Sequence, residues 1–331
     1  MHRPFAPFAR TLLAGLVALI GVTAGAEEIV VSNYAVSANG MPFGVAMAKG
    51  YFKDEGLNIT GLISSAGGGT TLRNMLAGGG VPYGEVNPGV VVSAVLAGAD
   101  LKIVSDNVLT VAEFVWAVKP DSPIKTIKDI KGRKIGYTNP RSTSQALANM
   151  LVQSAGFKPE DVELVKTGGF GEGIAALDAG LVDMTPITEP LWSKVRNKYR
   201  AVVVASDVLP PLDNVVGVAT EEMMAKRGDF IRAVIRARRK AVQFMKEHPD
   251  EAGDIVAKQY NLEPEVARSA VRNLVNSSTR GVPYWGDGQI HLDGLKRMIE
   301  AQRSVGAITG EVDYNKLVDT RFLPDDLKAI K

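Results

Sequence analysis

Short apolar runs alternate along the chain with polar, glycine-containing turns, a pattern typical of an α/β protein. Near the start, Glu28–Ser32 predicts a strand, the apolar spacing within Phe43–Gly50 predicts a helix, and Asn58–Ile63 predicts a second strand. A strand, a helix and a strand in this order form a βαβ unit, in which the two strands are parallel. The sequence therefore predicts a sheet with parallel strands and helices packed on it.

Small and hydroxyl residues cluster at two predicted helix starts. The two groups are Gly69, Thr70 and Thr71 before one helix, and Arg141, Ser142, Thr143 and Ser144 before another. Hydroxyl groups there cap the first N–H groups of a helix, and they leave other N–H groups and the positive end of the helix dipole free for an anion. Capping alone explains either group. Because the chain has two, each followed by a short strand and a Pro-containing turn, we interpret it as two similar halves that grip one small polar ligand.

Three motifs in order carry a family resemblance. Asn39–Ile59 reads NGMPFGVAMAKGYFKDEGLNI, Thr126–Tyr137 reads TIKDIKGRKIGY, and Ala176–Asp183 reads ALDAGLVD. Together they resemble the periplasmic solute-binding proteins of nitrate, sulfonate and taurine ABC importers, a family that also includes pyrimidine-precursor binders. The resemblance implies a two-lobed, type II-like α/β fold, with two mixed or parallel sheets flanked by helices and a ligand cleft between the lobes. One departure is Pro82, which stands where the family usually has Asp, so the first-lobe contacts do not transfer directly.

Proline-rich breaks at Lys119–Pro123 and Pro210–Asn214 predict two crossings between the lobes. Residues 27–119 then form the first part of lobe 1, residues 120–213 form lobe 2, and residues 214–331 return to lobe 1 and add C-terminal helices. Phe114–Val118 is a strand of lobe 1 in this interpretation. The other predicted strands and the C-terminal helices are Val81–Val86, Lys102–Val104, Lys134–Tyr137, Val162–Lys166, Val182–Ile187, Ala201–Ala205 and Val215–Ala219, then Phe230–Lys246, Leu262–Asn276 and Leu292–Val305.

The resemblance and the two helix starts predict how a ligand is held. The charged group of the ligand lies at Gly69–Thr71 and Ser142–Ser144, with Arg141 beside the second group. Backbone or amide contacts come from Asn39, Gly40 and Asn87, and Met41 adjoins the same loop. Glu189 suits an ammonium or hydroxyl at the far end of the ligand, as in an aminosulfonate.

The N-terminus resembles a secretion signal. Arg3 and Arg10 give a basic start, Thr11–Thr23 is apolar, and Ala24-Gly25-Ala26 fits a cleavage site, so residues 1–26 are predicted to be a signal peptide. The apolar run is too short for a membrane anchor. Removing Arg3 and Arg10 from the 38 basic residues leaves 36 against 36 acidic ones, and this neutrality argues against a nucleic-acid partner.

The chemistry of common enzymes is missing from the sequence. There is no cysteine, and the three histidines, His2, His248 and His291, lack metal-binding spacing. Gly171–Ala176 matches G-x-G-x-x-A, but the helix after it is too short for a dinucleotide site. We therefore expect no cofactor, no metal and no catalysis, although pyrimidine synthases share this fold and rely on a Cys-rich motif and histidine.

The function implied by the resemblance is capture of a small, at least partly anionic solute in the periplasm. Sulfonates, taurine, nitrate and related organic acids all fit this description. The protein, expected to be a monomer, then delivers the solute to an inner-membrane permease with its ATPase. A pyrimidine-precursor binder, a biosynthetic enzyme of the same fold and a periplasmic sensor subunit remain alternatives.

Overall fold

The computed structural model describes residues 27–65, 67–77 and 81–331, so the predicted signal peptide lies outside the described residues. Its strands are β1 Glu27–Ser32, β2 Ile59–Ser65, β3 Gly84–Val86, β4 Lys102–Val108, β5 Phe114–Val118, β6 Lys134–Tyr137, β7 Glu163–Lys166, β8 Thr185–Thr188, β9 Arg200–Val204, β10 Val215–Ala219, β11 Ser278–Thr279, β12 Val282–Pro283 and β13 Trp285–Gly288.

Helices connect and cover these strands. They are α1 Met41–Ala48, α2 Tyr51–Asp54, α3 Gly68–Leu76, α4 Pro88–Leu96, α5 Thr143–Ser154, α6 Phe170–Asp178, α7 Leu191–Val195, α8 Ala205–Val208, α9 Glu221–Glu247, α10 Pro249–Tyr260, α11 Pro264–Val275, α12 Leu292–Ser304 and α13 Tyr314–Leu317. Short 3₁₀ turns occur at Ile127–Ile130, Pro159–Asp161, Thr320–Phe322 and Asp325–Leu327.

The larger sheet has six strands in the order β13-β4-β10-β3-β1-β2. β1 is parallel to both β2 and β3, which confirms the predicted βαβ start, whereas β10 runs antiparallel to its two neighbours. Ile29, Val30 and Val31 of β1 are completely buried, because helices cover both faces of the sheet. We call this sheet and the helices packed on it the first lobe.

The second lobe contains β5 to β9. β5 lies between β8 and β9 in an antiparallel sheet, β6 and β7 form a parallel pair, and a bridge from Ile135 to Met184 connects the two groups. This pairing corrects the placement of Phe114–Val118 in lobe 1. The run is apolar at every position, which predicts a buried strand but not the sheet that it joins. The chain therefore changes sheets at 109–113, before the break at Lys119–Pro123.

Two chain segments connect the lobes, and helices α11 and α12 pack across the boundary between them, α11 against α7. The first segment is 109–113, and the second leads from β9 through α8 to β10. Helix α12 packs against α4 of the first lobe and α5 of the second, and its Met298 is buried in the apolar core of the second lobe. A cleft lies between the lobes, and these connections form its base.

Candidate functional site

A cavity of about 870 Å³ occupies the cleft and is lined by residues of both lobes. A volume of this size is in the range of pockets that bury a drug-sized organic ligand. The first lobe contributes the loop after β1 and the start of α4. The second lobe contributes the starts of α5 and α6 and the end of β8.

The start of α5 forms part of the cavity wall, as the hydroxyl pattern predicts. Ser142 is the N-cap residue, and its Oγ accepts a hydrogen bond from Gln145 N at 3.2 Å. Ser144 is buried, and its Oγ accepts from Thr138 N at 2.9 Å. Both hydroxyls therefore serve the local turn, although both residues also line the cavity.

Thr143 has the hydroxyl best placed for a ligand. Its Oγ1 accepts hydrogen bonds from Asn87 Nδ2 at 2.9 Å and from Gln302 Nε2 at 3.3 Å, so the hydroxyl proton is free to be donated. The backbone N–H groups of Thr143 and Ser144 have no acceptor within the described part of the chain. Three donors at one helix start, with the helix dipole behind them, form a site that favours negative charge.

Two exposed basic side chains lie on the second-lobe side of the cavity. Arg141 and Lys194 both line the cavity, both are exposed, and within residues 27–65, 67–77 and 81–331 neither charged group has a hydrogen-bond or ion-pair partner. Arg141 adopts a left-handed backbone conformation, with φ of 63°, and its N–H donates to Gln145 Oε1 at 2.7 Å. This turn places the residue immediately before the capping serine, where its guanidinium adds to the positive end of α5.

Glu113 contributes a buried acidic residue to the lining of the cavity. It is 2% exposed, its Oε1 accepts from Asn214 Nδ2 at 2.5 Å, and its Oε2 has no partner among the described residues. The hydroxyl of Tyr284 donates to Asn39 Oδ1 at 3.1 Å, and it also interacts with the Glu113 carboxyl and lowers its pKa. Burial raises the pKa of Glu113 to about 8, against smaller opposing effects of its hydrogen bonds.

Glu113 was not among the residues predicted to bind the ligand, although the sequence contains a signal for it. The residue is the single charged position in the apolar run from Val111 to Val118. A charge within such a run is rarely tolerated in a core unless it has a partner or a function. Asn214 and Gln302 were missed as well, because their roles depend on segments distant in sequence.

Aromatic side chains cover part of the wall near Glu113. Phe114 and Phe170 both line the cavity, and their rings pack edge to face with centroids 6.0 Å apart. Val36 is 66% exposed on the opposite lobe and also lines the cavity. The cleft therefore offers an apolar surface between the acidic group and the basic rim.

Several of the predicted contact residues lie near the loops but not in the cavity wall. Asn39, Asn87, Arg141 and Ser142–Ser144 line it. Gly40 and Met41 do not belong to the described lining. Met41 is fully buried in the first-lobe core, and a Cβ on Gly40 would lie 2.6 Å from Val31 Cγ1, so this glycine permits close packing of the loop on β1.

The start of α3 also has a structural role. Thr71 is fully buried, and its Oγ1 is hydrogen-bonded to the hydroxyls of Ser32 and Ser65. Thr70 Oγ1 accepts from Arg73 within the same helix at 2.9 Å, and Gly69 is exposed outside the described lining. The first lobe instead presents the start of α4, where Asn87 Oδ1 caps Gly89 N at 2.8 Å.

Glu189 faces helix α11 and not the ligand space. Its two carboxylate oxygens accept from Ser193 N, Ser193 Oγ and Asn273 Nδ2 at 2.7–3.1 Å. Burial raises its pKa, and the bonds from Asn273 and Ser193 oppose that effect. Glu189 therefore lies outside the described lining of the cavity, whereas Glu113 belongs to it.

Among the residues that the structure describes, no group of three or more His, Cys, Asp and Glu side chains has the arrangement needed to hold a metal ion. No helix in that part of the chain combines the length and the apolar character needed to cross a bilayer.

Comparisons with known proteins agree with the architecture. A family model described as NMT1/THI5 like matches residues 37–252. The riboflavin-binding protein RibY of Chloroflexus aurantiacus is 22% identical over 300 residues, which cover 86% of this chain and 82% of that protein.

Solved structures show the same fold. The aliphatic sulphonate binding protein SsuA from Escherichia coli has a TM-score of 0.74 at 19% identity, covering 89% of this chain and 92% of that one. The nitrate-binding protein NrtA from Synechocystis PCC 6803 has a TM-score of 0.69 at 14% identity, covering 92% and 87%. An enzyme, the desulfurization enzyme DSZB, is also similar, with a TM-score of 0.61 at 15% identity, covering 89% and 97%. These likenesses confirm the two-lobed periplasmic binding protein fold.

Proposed function

Because the chain belongs to the NMT1/THI5-like family, we propose that it is the substrate-binding component of an ABC importer. It captures a small organic solute with an anionic group in the periplasm and delivers it to an inner-membrane permease with its ATPase. The observation that carries this proposal is the start of α5 in the cleft between the lobes. There Thr143 and two N–H groups that have no acceptor among the described residues lie beside the exposed Arg141.

The mechanism is binding between the lobes followed by closure. A ligand that contacts both lobes stabilises the closed form by its difference in affinity for the two forms. Asn39 and Asn87 of the first lobe and Arg141 and Thr143 of the second supply such contacts. Closure then removes water from the anion site and strengthens its electrostatic interactions.

The size of the cavity favours an organic solute over a small inorganic anion. Nitrate fills only a small part of about 870 Å³ and leaves Phe114 and Phe170 without contact. The sulfonate and riboflavin binding in the names of similar proteins agrees with organic ligands of different size. We therefore place sulfonates and organic acids ahead of nitrate.

The test is a thermal-shift screen of the mature protein, from Glu27 onward, against organic sulfonates, carboxylates and inorganic anions. A true ligand raises the melting temperature by mass action. Small-angle scattering with and without the ligand should then show compaction. Failure of every organic anion to shift the melting temperature would refute the proposed solute class.

Catalysis is the second candidate, because DSZB shares the fold. We propose that no bond is made or broken, since Glu113 has no histidine, cysteine or second carboxyl among the residues that line the cavity with it, apart from exposed Glu172. Mass spectrometry of a bound ligand after prolonged incubation tests this. A ligand recovered with changed mass would favour the enzyme.

A further inference from the structure

Two buried carboxyl groups lie together where the chain crosses between the lobes. Asp106 is on β4, which leads into the first connecting segment, and Asp213 is on the second connecting segment, just before β10. Their side chains are 0% and 1% exposed, and the two carboxyl groups are close enough to share a hydrogen bond. We call these two residues the acid pair. Neither belongs to the described lining of the ligand cavity.

The acid pair has few hydrogen-bond donors around it. Asp106 Oδ2 accepts from His291 N at 2.6 Å. Asp106 Oδ1 and both carboxyl oxygens of Asp213 have no N–H or O–H donor from another group among the described residues. Two carboxylates side by side in a buried site repel each other, and buried oxygens without donors add a further cost. One proton shared by the two groups removes the second charge and supplies the missing hydrogen bond.

The start of α12 covers the acid pair. Asp213 N donates to Gly294 O at 3.3 Å, and a Cβ on Gly294 would lie 2.3 Å from Asp213 Oδ1, so a side chain at this position would collide with the carboxyl. The positive end of the helix dipole favours one negative charge here, whereas burial disfavours a second. Burial raises the pKa of both carboxyl groups, and the charge of Asp106 raises that of Asp213 further.

The charged groups around the acid pair offset this effect only in part. Arg297 of α12 lowers the pKa of Asp213, but its guanidinium is exposed, lies 3.7 Å from Asp293 and donates to Pro211 O at 3.3 Å. Water and Asp293 therefore weaken its attraction for the pair. Burial lowers the pKa of the His291 ring. The remaining titratable groups near the pair are Asp287 and Lys331, which act on His291, and Glu113 on the first connecting segment.

Helix α12 connects the acid pair with the ligand cavity. Towards the other end of the helix, Gln302 donates to Thr143 Oγ1 at 3.3 Å in the cavity wall, and Met298 lies in the apolar core of the second lobe. Next to the pair, Asn214 N donates to Val108 O at 2.8 Å and joins the two connecting segments. A movement at the first turn of α12 is therefore transmitted to both lobes.

We propose that the acid pair is a proton-operated switch for closure of the lobes. With one shared proton, the pair holds the second connecting segment between β4 and the start of α12. When this proton passes to the solvent, two adjacent carboxylates remain, and they become stable only if water reaches them. The segment then separates from α12, and the open form is favoured. This inference goes beyond the proposed function, because it requires no particular ligand.

The test follows the distance between the lobes without any ligand. Because the chain has no cysteine, Leu76→Cys and Leu181→Cys place one spin label on each lobe, at exposed positions outside the described lining. Double electron–electron resonance then gives the fractions of open and closed protein. Since the closed form binds the proton more tightly, we expect the ratio of open to closed protein to rise about tenfold or more between about pH 5 and pH 8.

Two variants separate the acid pair from other titrating groups. In Asp213→Asn, the side-chain N–H donates to Asp106 in place of the shared proton, so the ratio should change about tenfold less over the same pH range. Asp100→Asn, at an exposed position before β4, should keep the response of the unaltered protein. Glu113 is common to all three proteins, so its own response cancels in the differences. Melting curves show whether each variant is folded.

The outcomes are distinct from those of the ligand screen. A lobe distance that does not change with pH in the unaltered protein overturns the switch, and so does a ratio of open to closed protein that falls as the pH rises. An equal response in the unaltered protein and Asp213→Asn assigns the effect to another group and also overturns it. If Asp213→Asn does not fold, Asp106→Asn replaces it, because its oxygen still accepts from His291 N and its N–H donates to Asp213.

Discussion

Replacing Glu113 by Gln should change the way in which stability depends on pH. In the folded protein, burial raises the pKa of Glu113 from its ordinary value of 4.5 to about 8. The folded state therefore holds this proton more tightly than the unfolded chain does. The stabilising effect of the proton is complete below the unfolded pKa and is lost as the pH rises towards the folded one.

The size of the effect follows from the two pKa values. Each pKa unit corresponds to about 1.4 kcal/mol, so a rise from 4.5 to about 8 corresponds to about 5 kcal/mol over the whole range. Between about pH 5 and about pH 9, roughly 4 kcal/mol of this should be lost by the unaltered protein. Gln has no proton to lose there, and its side-chain oxygen still accepts from Asn214.

The assay is urea denaturation of the unaltered protein, Glu113→Gln and Glu160→Gln at about pH 5, 7 and 9. Relative to the unaltered protein, the free energy of unfolding of Glu113→Gln should increase by about 4 kcal/mol across this range. The difference for Glu160→Gln, an exposed position outside the described lining of the cavity, should stay constant. Asp106 and Glu85 also have raised pKa values from burial, but they are common to all three proteins and cancel in the differences.

The prediction concerns the change in the free energy of unfolding with pH and not its absolute value. A Glu113→Gln protein that is weaker at every pH by the same amount has lost packing or the bond to Asn214. In that case burial does not raise the pKa of Glu113, and the predicted dependence of stability on pH is refuted. If the difference in the free energy of unfolding changes with pH in the predicted direction but by a smaller amount, water has partial access to the Glu113 carboxyl.

Three other predictions concern the rim, the first lobe and export. Arg141→Ala should weaken binding of an organic sulfonate about tenfold or more in calorimetry, whereas Arg141→Lys should retain part of the affinity, and unchanged affinity in both would remove Arg141 from the site. Thr71→Val should lower the free energy of unfolding by about 1–3 kcal/mol, because it leaves the buried hydroxyls of Ser32 and Ser65 without their partner, and it should not change affinity. Mass spectrometry of the exported protein should find a new N-terminus at Glu27, and an uncleaved chain retained in the cytoplasm would contradict the predicted signal peptide.

Local sequence patterns predicted where the strands lie better than they predicted which strands pair with one another. Phe114–Val118, Lys134–Tyr137 and Val215–Ala219 are strands with the predicted bounds, because short apolar β-branched runs between polar turns are distinctive. Phe114–Val118 was nevertheless placed with the wrong sheet. Strand pairing depends on residues far away in sequence, here β8 and β9, and no local pattern encodes it.

The same limit applies to the candidate site. Thr71 and Thr143 are both threonines at a helix start, and nothing local distinguishes them. In the folded chain Thr71 meets Ser32 and Ser65 in a buried cluster, whereas Thr143 meets Asn87 and Gln302 at the cavity wall. The same hydroxyl pattern therefore lies at the cavity wall in the second lobe and in a buried cluster in the first lobe, where distant strands determine the surroundings of the residue.

Glu113 and Asn214 restrict how the two lobes can move relative to each other when the cleft closes. Each lies on one of the two segments that cross between the lobes, and a hydrogen bond joins them. The bond from Asn87 to Thr143 also links the lobes near this base. Since both connections restrain motion there, we expect the lobes to turn about the base while rim residues such as Val36 and Arg141 move farthest. A ligand in the cleft then selects the closed form through contacts that form only on closure, such as those of Arg141, because only contacts that differ between two forms shift their populations.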